Sequence, residues 1–151
     1  MKIRKAEMGD VKTAHRLINQ FAEKFQMIPR SLNDLYENLR DLIVCEENGK
    51  VEGVCALHVL WEDLAEIRSL AVSKEAQKKG VGKRLVKKAL KDAKGLGIKK
   101  VFALTYYPDY FIKSFGFREI DKAELPHKIW GDCLRCHKFP ECDEIAVIKE
   151  I

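Results

Sequence analysis

Residues 70–90 read LAVSKEAQKKGVGKRLVKKAL, and they decide how the rest of the chain is read. The opening LAV is β-type. From Val81 the apolar positions Val81, Leu85, Val86, Ala89, Leu90 and Ala93 fall on one face of a helix. Between the two elements stand Gly80 and Gly82, flanked by Lys78, Lys79, Lys83 and Arg84. Glycine weakens both strands and helices by roughly 0.5–1 kcal/mol relative to alanine, so a pair of them asks for a reason. A helix N-terminus carries unpaired N–H groups and the positive end of the helix dipole. Without Cβ atoms there, a phosphate can approach the backbone closely, and the neighbouring cations reinforce the attraction. The same residues also suit a tight turn whose glycines relieve strain and whose lysines are a solvated face. The loop alone leaves both readings open.

Around this stretch the chain punctuates cleanly. KIRKA (2–6) reads as a first strand. Asp10 stands where a helix cap would, ahead of an apolar stripe at Val11, Ala14, Leu17, Ile18, Phe21 and Phe25. QMIPR (26–30) breaks that helix, and Ser31 opens a second, with Asp34 near the capping-box position. Residues 41–62 read as two strands about an Asn48-Gly49 hairpin turn, and LAEIRSLAV (64–72) as another. The helix after the glycines stops around Gly95 and Gly97. KKVFALT (99–105) is a buried strand, PDYFIKSFGF (108–117) a short helix ending at Gly116, and strands near 118–120 and 144–149 finish the chain. The order β-α-α-β-β-β-α-β-α-β-β predicts an α/β fold, a mixed sheet with helices on its faces.

At 151 residues a single domain over 1–151 is expected, with 46% hydrophobic and 34% charged residues. No apolar run approaches the roughly 20 residues of a membrane helix. MKIRKAEMGD has a positive start but no apolar segment behind it, so a cytoplasmic protein is expected. The net charge of +5 suits a phosphate-bearing small molecule as well as nucleic acid. Aromatic residues do not interleave with the basic helix as a base-stacking platform requires, and neither nucleic acid nor a membrane is expected as a partner. Of the five cysteines, Cys45 and Cys55 sit in apolar runs and read as core. Cys133, Cys136, Cys142 and His137 could complete a tetrahedral zinc site, but His137 directly follows Cys136 and the two reach one ion awkwardly. No metal is assigned. The odd cysteine count argues against a disulfide framework.

The glycine loop is neither GxxxxGK[ST] nor GxGxxG. Gln77-x-x-Gly80-x-Gly82, after a strand and before a long amphipathic helix, resembles the acyl-CoA-binding motif of the GNAT acetyltransferases. FIKSFGF (111–117) resembles their second motif, FYxxxGF. The resemblance covers nearly the whole chain. It implies a central sheet splayed between two parallel strands, here Leu64 to Val72 and Lys100 to Thr105, with acetyl-CoA as co-substrate in the gap. The implied cofactor-binding residues are Leu70, Ala71 and Val72 along the pantetheine arm. Gln77, Lys78, Lys79, Gly80, Val81, Gly82, Lys83 and Arg84 would surround the pyrophosphate, and Phe111 and Ser114 come from the second motif. Glu66, eleven residues ahead of Gln77, stands where many of these enzymes place a general base. The Leu70 N–H would meet the oxyanion. At the position where the family's tyrosine protonates the leaving thiolate, this chain has Ile112. Tyr110 lies two residues early, and packing competes with a donor role there.

AEIRSLAV, VFALTYYPDYFIKSFGF and LPHKIW together resemble the N-acetylglutamate synthase branch in its short form without a kinase domain. That branch acetylates the α-amine of glutamate at the start of arginine synthesis. Two carboxylates call for cationic donors, and Arg30, Arg68, Ser69 and Lys128 are the candidates. A homodimer is left open. The competing expectations are a GNAT enzyme acting on another amino acid or a protein amine, and a non-catalytic acetyl-CoA sensor.

Overall fold

The computed structural model describes residues 1–22, 30–125 and 144–151. Within them the order is β1 (Lys2–Lys5), α1 (Val11–Ala22), α2 (Leu32–Glu37), β2 (Leu42–Glu47), β3 (Lys50–Trp61), β4 (Leu64–Val72), α3 (Val81–Gly95), β5 (Lys100–Thr105), α4 (Pro108–Phe115), β6 (Arg118–Ile120) and β7 (Ile145–Glu150). This is the order the sequence predicts. The strands form one seven-stranded sheet, β1-β2-β3-β4-β5-β7-β6, antiparallel except for the central pair β4 and β5. The β2–β3 hairpin turns on Asn48 and Gly49, both with positive φ, as a two-residue turn between twisted strands requires.

Two features departed from the expected local chemistry. Asp10 does not serve simply as a cap on α1. It ends a 3-10 turn, Met8–Asp10, and its carboxylate accepts from the Glu7 N–H at 2.7 Å and from both ends of the Arg4 guanidinium at 2.7 and 3.1 Å. Arg4 beside it holds the Asp10 carboxyl below its ordinary range. Ser31 does cap α2, accepting from the Asp34 N–H at 3.0 Å, but the Asp34 carboxylate pairs with Arg30 at 3.4 Å. Phe25 and the cluster Cys133, Cys136, His137 and Cys142 lie outside the described residues.

The apolar stripe of α3 lies flat on the sheet, with Val81, Leu85, Val86, Ala89 and Ala93 buried. Full burial of each valine or leucine stabilises by roughly 1.5–3 kcal/mol. Together with Phe111, Phe115 and Phe117 they form one continuous core on this face. The opposite face is divided. Residues of α1 and α2 cover β2 and β3, with Val54, Ala56 and Ala71 beneath them. A separate cluster holds Leu64, Phe102, Leu125, Ala146 and Ile148. Between Leu64 and Ala71, β4 carries Glu66 and Arg68, so a charged seam separates the two apolar patches.

Candidate active site

The parallel ladder of β4 and β5 is short. It pairs Leu64 with Lys100, Ala65 with Val101 and Glu66 with Phe102, and then the strands part. Beyond Glu66, the β5-facing edge of β4 pairs with no strand among the described residues. The same segment carries a bulge. Val54 faces Ala71 and Ala56 faces Arg68, so Ser69 and Leu70 together oppose Cys55. Ser69 sits in the left-handed region at φ 59, unusual for a residue with a side chain. The extra residue reverses the alternation. Ala65 and Ile67 belong to the α3 face, and after the bulge so do Leu70 and Val72.

A cavity of about 660 Å³ passes through the sheet at this parting. Its wall on the α1 side includes Phe21 and Arg30, and Glu66, Arg68 and Ser69 line its middle. On the other side stand Gln77, Lys78, Gly80, Val81, Gly82 and Lys83 of the glycine loop, with Tyr110 and Phe111 of α4. Leu70 and Val72 run between these two mouths. Lys79, Arg84, Ala71 and Ser114 do not line the cavity, and Lys128 lies outside the described residues.

The glycines of the loop serve different ends. Gly80 caps α3 at φ 81, and a Cβ there would meet nothing within 4 Å, so its glycine answers a backbone requirement. Gly82 has open helical geometry but a close neighbour. A Cβ there would lie 2.9 Å from Tyr110 Oη. The first bond into the helix runs from the Arg84 N–H to the Gly80 carbonyl at 3.1 Å. The N–H groups of Val81, Gly82 and Lys83 precede it and face the end where anions bind. Gln77 turns its amide back to donate to the Val72 carbonyl at 3.1 Å, tying the loop to the strand that leads into it.

Gly82→Val is therefore expected to push the Tyr110 ring into the cavity, because the phenol end is the part free to move. Acetyl-CoA affinity falls by about tenfold, while the melting temperature changes little. Gly80→Ala shows the reverse, a loss of about 1–2 kcal/mol in stability from left-handed strain. Calorimetric titration and thermal melts of the two variants separate these outcomes. Equal losses of affinity and stability at Gly82 would count against an anion-binding role.

Among the described residues the buried charged side chains are Glu66 and Glu144, and both belong to the cavity wall. Glu66 lies 3.6 Å from the Arg68 guanidinium, each side chain about one-tenth exposed. The backbone of Arg30 is clamped by Asn19, which accepts from the Arg30 N–H at 3.1 Å and donates to its carbonyl at 3.0 Å. The Arg30 side chain is 11% exposed, and its buried Nε has no hydrogen-bond partner among the described residues. Burial pushes the Tyr110 phenol above its ordinary range, with the buried Cys55 thiol adding to the shift, so at neutral pH Tyr110 holds its proton. Ile112, by contrast, packs against the core and does not line the cavity.

Sequence reasoning missed Glu144, Thr105 and Tyr107 as cavity residues. They arrive from the ends of β5 and β7, which become neighbours only through the sheet order, and no local motif marks them. A carboxylate at the start of a strand beside apolar Ile145 to Ile148 was the available signal for Glu144.

A sheet parted between two parallel strands, with a glycine-rich helix start at one mouth of the gap, is the architecture that the resemblance to the GNAT acetyltransferases implies. The profile of the Acetyltransferase (GNAT) family matches residues 11–117, and the chain belongs to that family. It is an acetyl-CoA-dependent N-acetyltransferase. It is 40% identical to an uncharacterised N-acetyltransferase of Chlorobaculum tepidum over 99% of this chain and 96% of that protein. It is 33% identical to an amino-acid acetyltransferase of Mycobacterium tuberculosis over 89% of this chain and 78% of that one. Its structure is similar to that of an N-acetylglutamate synthase from Neisseria gonorrhoeae complexed with coenzyme A and N-acetyl-glutamate. The TM-score is 0.90 at 28% identity, covering 99% of this chain and 34% of the synthase chain. No helix among the described residues is long and apolar enough to cross a membrane.

Proposed function

We propose that this protein transfers the acetyl group of acetyl-CoA to the α-amine of glutamate, in the cytoplasm, as the first step of arginine synthesis. The observation that carries this reading is the pair of arginines in the cavity. Both line it, Arg68 from the charged seam on β4 and Arg30 from the segment between α1 and α2. Two guanidinium groups match an acceptor with two carboxylates, since the planar fork binds both oxygens of a carboxylate. The relatives named amino-acid acetyltransferase point to the same class of acceptor.

In this reading Glu66 takes a proton from the glutamate ammonium, leaving the neutral amine that attacks the thioester carbonyl. The N–H groups exposed along the parted edge of β4, Leu70 among them, stabilise the oxyanion. Collapse releases CoA thiolate, a tolerable leaving group that leaves without a dedicated acid. The pyrophosphate rests on the N–H groups between Gly80 and Arg84, with Lys78 and Lys83 beside it. Ser69 supports the acceptor end.

The deciding measurement is CoA release from acetyl-CoA across a panel of amino acids. Glutamate is expected to react fastest, and glutamine, which lacks the side-chain charge, to be much poorer. If an uncharged amino acid reacts as fast as glutamate, the acceptor assignment is wrong and the protein acetylates another amine.

A further inference from the structure

We propose that His58, held by Asp41, carries the acceptor's proton out of the site after Glu66 has taken it. The proposal rests on the reading of Glu66 as the base.

Its foundation is the register of β3 on β4. His58 lies directly opposite Glu66, inside an unbroken run that pairs Ala56 with Arg68, Leu57 with Ile67 and Val59 with Ala65. Both side chains take the same face of the sheet. Cys55, Leu57, Ala65 and Ile67 go to the α3 face, while Val54 and Ala56 go to the α1 face, which leaves His58 and Glu66 on the latter. Directly opposed residues have Cβ atoms about 4.5–5.5 Å apart, a span that a carboxylate and an imidazole bridge. The opposite end of the ring is fixed: His58 Nδ1 lies 2.6 Å from Asp41 Oδ2. An ionised carboxylate only accepts, so Nδ1 carries the hydrogen, and in the ring's neutral form Nε2 is left with its lone pair.

The surroundings give this pair a task. Glu66 is 9% exposed and must lose its proton once in every turnover. The Arg68 guanidinium, 3.6 Å away, attracts the anionic form of the carboxylate. His58 is 25% exposed against 9% for Glu66, whose cavity the bound substrates fill in this reading. The charged groups facing the imidazole among the described residues are Asp41 from the turn before β2, and Glu66 and Arg68 from β4. Arg30 and Asp34 line the small recess beyond Asp41. The step is balanced: the proton leaves the substrate nitrogen for Glu66, passes to His58 Nε2, and goes from the imidazolium to solvent, restoring both groups.

His58→Ala, assayed in a buffer that exchanges protons poorly, is expected to lower kcat about tenfold with both KM values unchanged. Added imidazole is expected to raise the kcat of this variant in a saturable way and to leave the wild type unaffected. Asp41→Asn, which frees the ring, is expected to lower kcat in the same direction. A His58→Ala enzyme with wild-type turnover overturns the relay. So does a loss that imidazole does not restore, whether or not the melting temperature has dropped. Glu66→Gln separates the two ideas. If it retains turnover, the base assignment itself fails. If it is inactive while His58→Ala is fully active, only the relay fails.

Discussion

Glu66→Gln is expected to reduce turnover by roughly 10²–10⁴-fold, the usual consequence of losing a general base, while acetyl-CoA binds as before. The substitution preserves the shape of a buried side chain and removes only its ability to take a proton. Its position makes the effect specific. Glu66 is the last residue of β4 still paired with β5, so its carboxylate stands at the point where the sheet opens. Its link to Arg68 fixes it there, and glutamine keeps part of that link through its carbonyl. A structural role would show as a lowered melting temperature with a modest loss of rate. Single-turnover acetyl transfer, measured beside thermal melts and acetyl-CoA titration, distinguishes the two. Turnover at the wild-type rate would mean that water or another group removes the proton.

The second large effect is expected at Arg30. Its backbone is clamped by Asn19, and its Nε is buried without a partner among the described residues, a donor oriented and left to be satisfied. If a carboxylate of glutamate completes it, Arg30→Ala raises the glutamate KM by a factor of roughly 10²–10⁴, from the 3–5 kcal/mol lost when one partner of a buried charge pair is removed. The acetyl-CoA KM stays near its original value. Arg30→Lys recovers little, because an ammonium cannot reproduce the planar fork. Arg68→Ala is expected to act on kcat as well as on KM, since it also strips Glu66 of its neighbour. An Arg30→Ala enzyme with an unchanged glutamate KM would place the acceptor elsewhere in the cavity.

Much of this was legible in the residues themselves. The helical stripe after Gly80, the Asn48-Gly49 turn and the stop at Gly116 each depend on local chemistry, and each stands where that chemistry put it. Glu66 and Arg68 could be assigned to one face of a strand from alternation alone. Alternation failed at Ser69, because LAEIRSLAV contains no glycine or proline to betray a left-handed residue, and Leu70 therefore changed sides unannounced. Asp10 was misjudged for a related reason. Glu7 and Asp10 form a reciprocal box of their own one turn earlier, and Arg4, drawn in from β1, completes it. The Asp41–His58 pair was invisible too, since it spans β2 and β3 and depends on their register.

The parted strands also bear on how the protein endures in its surroundings. A sheet that is open along one edge of β4 is an unfinished solid, and the molecule that fills the gap completes it. A ligand that binds only the folded chain adds about 2.7 kcal/mol at a hundred times its dissociation constant. That is a sizeable share of the 5–15 kcal/mol that typically separates native from unfolded chains. Acetyl-CoA bound in that gap is therefore expected to raise the melting temperature of the protein as well as to supply the acetyl group. Removing it is then expected to leave the chain easier to unfold, which a thermal melt with and without acetyl-CoA reads directly.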